Sequence, residues 1–225
     1  MSQTLVRRIY VWDIPVRVYH WLNFLAITAL AVTGFLIGDP PAFQTTGEAY
    51  THYWFGTVRF VHFAAAFIFI FNFIFRIYWG FGGNKYASWR GFIPHSKAQL
   101  REILDVLKLD VLQRKGSPLI SIGHNALAGL TYFISFLVFL FQAATGLALY
   151  SKMSGWFFAK WFAWIVPFMG GDEAVRQWHH VMLWFFVLFA MVHVYLVFYH
   201  DYVEGRGVIS SMAGGWKFIE DEGRK

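Results

Sequence analysis

Long apolar runs alternate with shorter polar segments along this chain of 225 residues. Four of the runs are nearly free of internal charge and long enough for the helix of about 20 residues that crosses the hydrocarbon layer of a membrane. They cover approximately residues 19–38, 58–79, 124–150 and 178–199. The pattern predicts an all-α membrane protein, a four-helix transmembrane bundle that forms a single domain over residues 1–225.

The composition supports lipid as the surroundings of this fold. Of all residues, 57% are hydrophobic and 14% are charged, whereas a soluble domain carries about 25% charged residues. The chain has no cysteine, which excludes disulfides, thiolate-bound iron–sulfur clusters and covalently attached heme. Metal chemistry must therefore rest on His, Met or carboxylate side chains. We expect membrane lipid as a partner and no nucleic acid, and we expect no removable signal peptide.

Lysine and arginine are divided unevenly between the two sides that four spans create. The amino-terminal segment, residues 76–120 and the tail from residue 200 together carry 15, whereas the two opposite loops carry 4. By the positive-inside rule, both termini and the long middle loop face the cytoplasm. Within that loop, residues 97–114 place apolar side chains at helical spacing among charges. This predicts an amphipathic helix on the cytoplasmic membrane surface, with a connector helix that touches no lipid as the alternative.

The loop of residues 151–176, on the opposite side, is rich in aromatic residues. Such a composition is typical of the headgroup layer of a membrane. An exposed apolar patch is also typical of a surface that binds a partner protein, so both interpretations stay open.

Histidines inside the predicted spans are functional-site candidates, because ionisable residues are costly in a membrane. Five histidines lie there: His20, His62, His179, His180 and His193. His179 and His193 are 14 residues apart, so helical geometry places both on one face of the fourth span, about 21 Å apart along its axis. His180 falls on nearly the opposite side of the helix. The geometry therefore selects His179 rather than His180.

Matching the depths of these histidines across the spans gives two pairs. His20 and His193 lie towards the cytoplasm, and His62 and His179 lie towards the outside. Facing helices commonly hold heme iron between two histidines, which predicts two hemes b. Gly34, 14 residues after His20, leaves room for the edge of the outer macrocycle. The alternatives are hydrogen bonds between helices and zinc, although each pair offers two ligands where a structural zinc site needs four.

Three arginines are predicted to pair with heme propionates. Arg17 and Arg59 each precede a histidine of these pairs by three residues, and Arg76 follows one by 14 residues. For Arg17 and Arg76, snorkelling to a basic cytoplasmic surface is an equally good explanation. Arg59 is more informative, because it lies on the side that should be poor in positive charge.

The chain resembles the cytochrome b subunit of membrane-bound nickel-iron hydrogenases, a family related to the gamma subunit of respiratory formate dehydrogenase. The resemblance covers nearly the whole chain, and it implies heme ligands at His20, His62, His179 and His193. The motifs that carry it are VRVYHW (16–21), TGFLIG (33–38), GTVRFVHF (56–63), FRIYWGFGGNKYA (75–87), ISIGHN (120–125), TGLALYS (145–151) and QWHHVMLWFFVLFAMVHVY (177–195).

The resemblance also implies a function in the bacterial inner membrane. Electrons from hydrogen oxidation would arrive from the iron–sulfur small subunit of the hydrogenase, and through it from the large subunit, and pass through the hemes to quinone. The chain would be an electron-transfer and quinone-reducing subunit without the hydrogen-activating site. The aromatic external loop would receive the transmembrane anchor of a partner.

A quinone site is expected near the loop before the third span, by similarity to the formate dehydrogenase subunit. There His124 or Asn125 would donate a hydrogen bond to a quinone oxygen, and His200 is a second candidate for a proton relay. Alternatively, His124 and Asn125 only cap the third helix.

Two other functions remain open at this point. The chain could be a quinone-reactive cytochrome b subunit of formate dehydrogenase or of another periplasmic reductase. A function of a different class would be a small transporter or assembly scaffold without heme.

Overall fold

Each of the four apolar runs forms one helix, which confirms the predicted spans. The computed structural model describes residues 6–42, 51, 53–89, 92, 96–112 and 122–220. The four long helices are apolar and long enough to cross a membrane. In chain order, the elements are β1 (Val6–Tyr10), α1 (Ile14–Gly38), α2 (Trp54–Gly82), α3 (Lys97–Val106, continued by a π-helical turn Leu107–Val111), α4 (Ala126–Tyr150), α5 (Phe157–Lys160), α6 (Ile165–Phe168), α7 (Asp172–Glu204), α8 (Val208–Gly214) and β2 (Trp216–Glu220).

Local signals explain where the long helices begin and end. Helix α1 starts five residues before the predicted span, and Pro15 lies in its first turn, where its missing N–H is no loss. Helix α4 starts two residues later than predicted, because the Asn125 side chain accepts a hydrogen bond from the backbone N–H of Ala128 at 2.7 Å. Helix α7 extends to Glu204, and Gly205 follows it with a φ of 62°. Glycine adopts this left-handed conformation most readily, and it commonly terminates helices.

A helix is present where the amphipathic one was predicted. Ser96 and Gln99 form a capping box at the start of α3, which fixes its first turn. Leu100 and Leu104 each expose 54% of their surface, whereas Val106 is buried. Exposed leucines on this helix are compatible with contact with lipid, which stays a prediction. Residues 113 and 114 of the predicted range lie outside the described residues.

The prediction of an all-α fold omits a small sheet that joins the two ends of the chain. Strands β1 and β2 pair in antiparallel orientation, with Val6 opposite Glu220 and Tyr10 opposite Trp216. Each strand has only five residues, and paired residues are more than 200 positions apart in sequence. No local sequence pattern therefore predicts the pairing. The pairing brings the two described chain ends together.

The described chain divides into two compact units. The first unit comprises Met1–His20, Phe75–Phe136 and Met191–Lys225, as far as these ranges are described, and the second comprises Trp21–Ile74 and Leu137–Ala190. Buried residues form a core cluster in each unit. The cluster of the first unit contains Val11, Trp12, Val16 and Ala87. The cluster of the second unit contains Ala148, Ile165, Val166 and Val175.

Candidate functional site

Two of the predicted ligands, His62 of α2 and His179 of α7, line one cavity in the second unit. The cavity has a volume of about 990 Å³, at the upper end of the range of about 300–1,000 Å³ that is typical of small-molecule and cofactor sites. Most of its lining is aliphatic or aromatic. The cavity is therefore suited to a large, mainly apolar ligand.

Each of these two imidazoles contacts a buried threonine on a neighbouring helix. The hydroxyl oxygen of Thr33 on α1 lies 2.9 Å from Nδ1 of His62. The hydroxyl oxygen of Thr145 on α4 lies 2.9 Å from Nδ1 of His179. The threonines were not predicted as site residues. Their signal is the dipeptide Thr-Gly, which occurs within two of the spans, at 33–34 and at 145–146.

The glycine of each dipeptide gives the imidazole room beside the helix backbone. A Cβ atom on Gly146 would lie 3.1 Å from Cε1 of His179, closer than an ordinary contact. A Cβ atom on Gly34 would lie 3.7 Å from Cε1 of His62, which is ordinary van der Waals distance. The structure thus brings Gly34 beside His62.

Arginines also line the cavity of the second unit. Arg59, predicted as a propionate partner, lines it, and its Nη2 donates a hydrogen bond to the sulfur of Met153 at 2.8 Å. Arg176 lines it as well and was not predicted. Arg176 precedes His179 by three residues, the same spacing that links Arg59 to His62. The sequence therefore contained a signal for Arg176.

The other two predicted ligands meet in the first unit. The ring centroids of His20 and His193 are 6.2 Å apart, and the planes of the rings are inclined by 52°. Two imidazoles on opposite sides of one metal ion, each bound at about 2 Å, have centroids about 6 Å apart. The observed spacing therefore fits two imidazoles that would hold one metal ion between them. Within the described ranges, no three His, Asp or Glu side chains form a metal-binding cluster.

Arg76 of α2 is also in the first unit, and only 2% of its surface is exposed. Its Nη2 donates a hydrogen bond to the carbonyl oxygen of Ala87 at 2.9 Å, and its Nη1 has no hydrogen-bond partner among the described residues. The guanidinium lies 5.2–6.0 Å from the centroids of four aromatic rings, those of Tyr19, Trp89, Phe92 and Tyr132. A buried cation with an unused donor is suited to bind an anionic group.

Arg17 has a different environment. Its guanidinium donates a hydrogen bond to the carbonyl oxygen of Ala213 in α8. The side chain therefore holds the carboxy-terminal segment against α1, a role that sequence analysis missed. The Nε atom of Arg17 is buried and has no partner within the described chain.

The candidate quinone residues have distinct environments in the first unit. The ring of His124 is surrounded by aromatic rings, with centroid distances of 4.9 Å to Trp12, 5.6 Å to Phe92 and 6.0 Å to Tyr132. Burial, followed by the nearby cations Arg76 and Lys217, lowers the pKa of His124 to about 4. The imidazole is therefore neutral at physiological pH.

Asn125 uses its side-chain oxygen to cap α4, as the alternative interpretation expected of this residue. His200 lies near the end of α7, and its ring contacts that of Tyr199 at a centroid distance of 5.6 Å.

These observations define the class of the protein. It has four helices of membrane-spanning length, and two of them, α1 and α7, supply the imidazoles that meet in the first unit. Helices α2 and α7 supply the imidazoles that line the cavity of the second unit. Paired imidazoles within a membrane helical bundle are the arrangement by which b-type cytochromes bind heme.

The chain belongs to the prokaryotic cytochrome b561 family, whose model matches residues 11–215. It is 38% identical to a probable Ni/Fe-hydrogenase B-type cytochrome subunit of Azotobacter vinelandii, over 95% of this chain and 90% of that protein. A protein of the same description from Cupriavidus necator is also 38% identical, over 96% of this chain and 89% of its own length.

The probable Ni/Fe-hydrogenase 1 B-type cytochrome subunit of Escherichia coli K12 is 33% identical, over 92% and 90% of the two chains. Together with the four apolar helices, family membership identifies a multi-pass protein of the bacterial inner membrane. It also implies a b-type heme and a role in electron transport.

Proposed function

We propose that the chain binds two b-type hemes, one between His20 and His193 and one between His62 and His179, and conducts electrons from a nickel-iron hydrogenase to quinone. The observation that carries this proposal is the division of the four histidines, since each compact unit contains one pair. Bound heme would supply a one-electron redox centre in each unit. The protein would hold each heme, fix its orientation and keep it out of water.

The second unit is suited to a heme because its cavity is large and is lined by imidazoles that could bind iron and by arginines that could bind propionates. His62 and His179 line an apolar space of about 990 Å³. Arg59 and Arg176 line the same space, and guanidinium groups are well suited to bind the carboxylates of a heme. Neither arginine is paired with a carboxylate in the described part of this cavity.

The first unit is suited to a heme because of its imidazole spacing and its buried cation. The centroid distance of 6.2 Å between His20 and His193 fits two imidazoles that would hold one iron between them. Arg76 is a positive charge in a mainly aromatic environment, where an unbalanced charge costs several kcal/mol. The propionate of a bound heme would balance that charge and use the free Nη1 donor.

The relatives that this chain matches are described as subunits of nickel-iron hydrogenases. The proposed donor of electrons is accordingly the iron–sulfur small subunit of such an enzyme and, through it, the large subunit. The lysine and arginine bias supports a location of the His62 and His179 pair towards the periplasm, where electrons would enter. The His20 and His193 pair would then lie towards the cytoplasm, with both termini.

The aromatic residues between α4 and α7 are proposed to anchor the periplasmic hydrogenase. Several of them are largely exposed, including Phe157 at 65%, Trp161 at 63% and Phe168 at 78%. An apolar surface of this kind is typical of a membrane interface or of a protein contact. A transmembrane anchor of the small subunit would use both properties.

Quinone is proposed to bind beside His124. A neutral imidazole can donate a hydrogen bond to a quinone oxygen. Asn125 can contribute its side-chain N–H groups, because its oxygen is engaged in the cap of α4. His200, near the cytoplasmic end of α7, is the proposed proton relay.

The proposal is tested by a reduced-minus-oxidised absorption spectrum and a heme count on the complex purified through this chain. We expect b-type bands, two hemes per chain and both hydrogenase subunits in the preparation. If the preparation contained formate dehydrogenase subunits instead, the alternative partner, formate dehydrogenase, would be supported. A preparation without a reducible b-type band would overturn the proposal and favour a transporter or an assembly scaffold.

A further inference from the structure

Thr33 and Thr145 lie where α1 and α4 pass the histidines of the second unit. Both are buried polar residues, with 7% of Thr33 and 1% of Thr145 exposed. Each hydroxyl contacts an imidazole Nδ1 at 2.9 Å, and each contact joins two different helices. Two equal contacts on the two predicted ligands of one cavity indicate a shared role.

The direction of these hydrogen bonds follows from the second partner of each hydroxyl. The hydroxyl of Thr33 donates to the carbonyl oxygen of Ala29, one turn earlier in α1, at 2.6 Å. The hydroxyl of Thr145 donates to the carbonyl oxygen of Phe141 at 2.9 Å. A hydroxyl has one hydrogen, and we assign it to the carbonyl oxygen in both threonines. The hydroxyl oxygen then accepts a hydrogen bond from the imidazole.

Both imidazoles therefore carry their proton on Nδ1. The lone pair, which is the part of the ring that binds a metal, is then on Nε2 in His62 and in His179.

Gln142 of α4 provides an independent check on this assignment for His179. Its side-chain nitrogen donates to the backbone carbonyl oxygen of His179 at 3.0 Å, which fixes the orientation of the amide. The same nitrogen lies 3.3 Å from Nε2 of His179. An amide nitrogen has no acceptor capacity, so Nε2 must be the acceptor of that contact. Nδ1 then carries the proton, in agreement with the contact to Thr145.

We propose that Thr33 and Thr145 are positioning residues that hold His62 and His179 in the tautomer with the lone pair on Nε2, and that they tune the reduction potential of the heme bound there. At His179, iron would take the place of the Gln142 amide nitrogen at Nε2. This inference rests on the proposed function. Groups that accept a hydrogen bond from a metal-bound histidine fix its tautomer and ring orientation and make it a stronger electron donor. A stronger donor favours ferric iron, so both threonines lower the potential of this heme.

The test uses a potentiometric titration of the complete membrane complex, in which the two hemes are followed by absorption and by the EPR signals of their ferric forms. Thr33→Val and Thr145→Val keep the shape of the side chain and remove the acceptor oxygen. Each should raise the midpoint potential of one heme, and that heme should be the same in both variants. A tenfold loss of preference for the ferric form corresponds to a rise of about 59 mV.

Matched controls are available on the same helices. Thr33→Ser and Thr145→Ser retain the oxygen and should retain the wild-type potentials. Thr28 of α1 and Thr131 of α4 make the same type of hydrogen bond to the carbonyl oxygen four residues earlier, at 2.7 and 2.9 Å. Thr28→Val and Thr131→Val should leave both potentials unchanged.

The valine variants can also weaken binding of this heme, since losing such a group costs about 10- to 100-fold in metal affinity. Loss of one heme in a valine variant, with retention in the matching serine variant, supports the proposal. Loss in both variants overturns it, as do unchanged potentials, equal shifts of both hemes, or the same shift in Thr28→Val. A wild-type complex without two hemes would instead refute the proposed function itself.

Discussion

Asn84 donates two hydrogen bonds to the carboxylate of Asp13, one from its backbone N–H at 3.0 Å and one from its side-chain nitrogen at 2.9 Å. The side-chain nitrogen also donates to the carbonyl oxygen of Val11 at 2.9 Å. Its oxygen accepts hydrogen bonds from the backbone N–H groups of Tyr86 and Ala87. One side chain thus joins the segment before α1 to the turn after α2.

Replacing this side chain should destabilise the first unit. In Asn84→Ala, the partly buried carboxylate of Asp13 and the carbonyl oxygen of Val11 each lose a donor, and the backbone N–H of Tyr86 loses its acceptor. The N–H of Ala87 keeps the backbone carbonyl oxygen of Asn84 as an acceptor. Unsatisfied buried groups cost about 1–3 kcal/mol each, so a clear fall of the unfolding temperature is expected. Lys85→Ala, which removes an exposed side chain in the same turn, is the control. Equal unfolding temperatures for the two variants would contradict the assignment.

The four spans could be predicted from sequence because their signal is local and long. A run of about 20 apolar residues has few interpretations other than a membrane helix. The strand pairing between the two chain ends could not be predicted, because residues such as Arg7 and Arg8 in β1 show no apolar alternation. Their partners lie more than 200 residues away. Tertiary contacts, rather than local preference, determine this element.

In the candidate site, too, the features set by one helix could be predicted from sequence, whereas the contacts between helices could not. Helical registry selected His179 rather than His180. In the structure both residues line the cavity of the second unit, and the ring of His180 contacts that of Phe35 at a centroid distance of 5.9 Å. The threonines that contact Nδ1 of the ligands were missed, although the Thr-Gly dipeptide occurs in two spans. A dipeptide does not indicate which helix packs beside it, or at which position along the span the two helices meet. Periodicity within one helix was predictable, and partners on other helices were not.

The histidine pairs predict which heme each ligand variant loses. His20→Ala and His193→Ala should remove one heme, and His62→Ala and His179→Ala should remove the other, because a single imidazole binds the iron far more weakly than two. Heme content and redox titration of each purified variant measure the outcome. His180→Ala is the control and should retain both hemes. Loss of the same heme in His20→Ala and in His62→Ala would contradict the predicted assignment of these two histidines to different hemes.

The buried guanidinium of Arg76 predicts an effect on the first unit alone. Arg76→Gln removes the charge that a heme propionate would balance, and it also loses a donor to Ala87. The heme of His20 and His193 should be lost, or its potential should fall, since a positive charge near a heme favours the reduced form. Arg76→Lys retains the charge and should restore part of the potential. Redox titration measures the potential of each heme. A shift in the potential of the heme of His62 and His179 instead would contradict this role.

The two glycines beside the imidazoles predict a graded effect. In Gly146→Ala the new Cβ would lie 3.1 Å from His179, so the ring must move and heme binding should weaken. In Gly34→Ala the distance to His62 is 3.7 Å, an ordinary contact, and the effect should be smaller. Heme content per chain, measured after purification at equal expression, compares the variants. Gly155→Ala, where no atom lies within 4 Å of the added carbon, is the control, and the prediction fails if its loss equals that of Gly146→Ala.

The position of His124 predicts a variant that separates quinone reduction from heme binding. Its ring packs against Trp12, Phe92 and Tyr132, and it precedes the first residue of α4. In His124→Ala, both hemes should stay in place and still be reduced by hydrogen, while electron transfer to added quinone should slow. His124→Gln retains a donor and should recover part of the rate, and Ile122→Ala, in the same loop, controls for a change of loop structure. If quinone reduction in His124→Ala were unchanged with both hemes present, the quinone role of His124 would be contradicted. His124 would then have only a structural role at the start of α4.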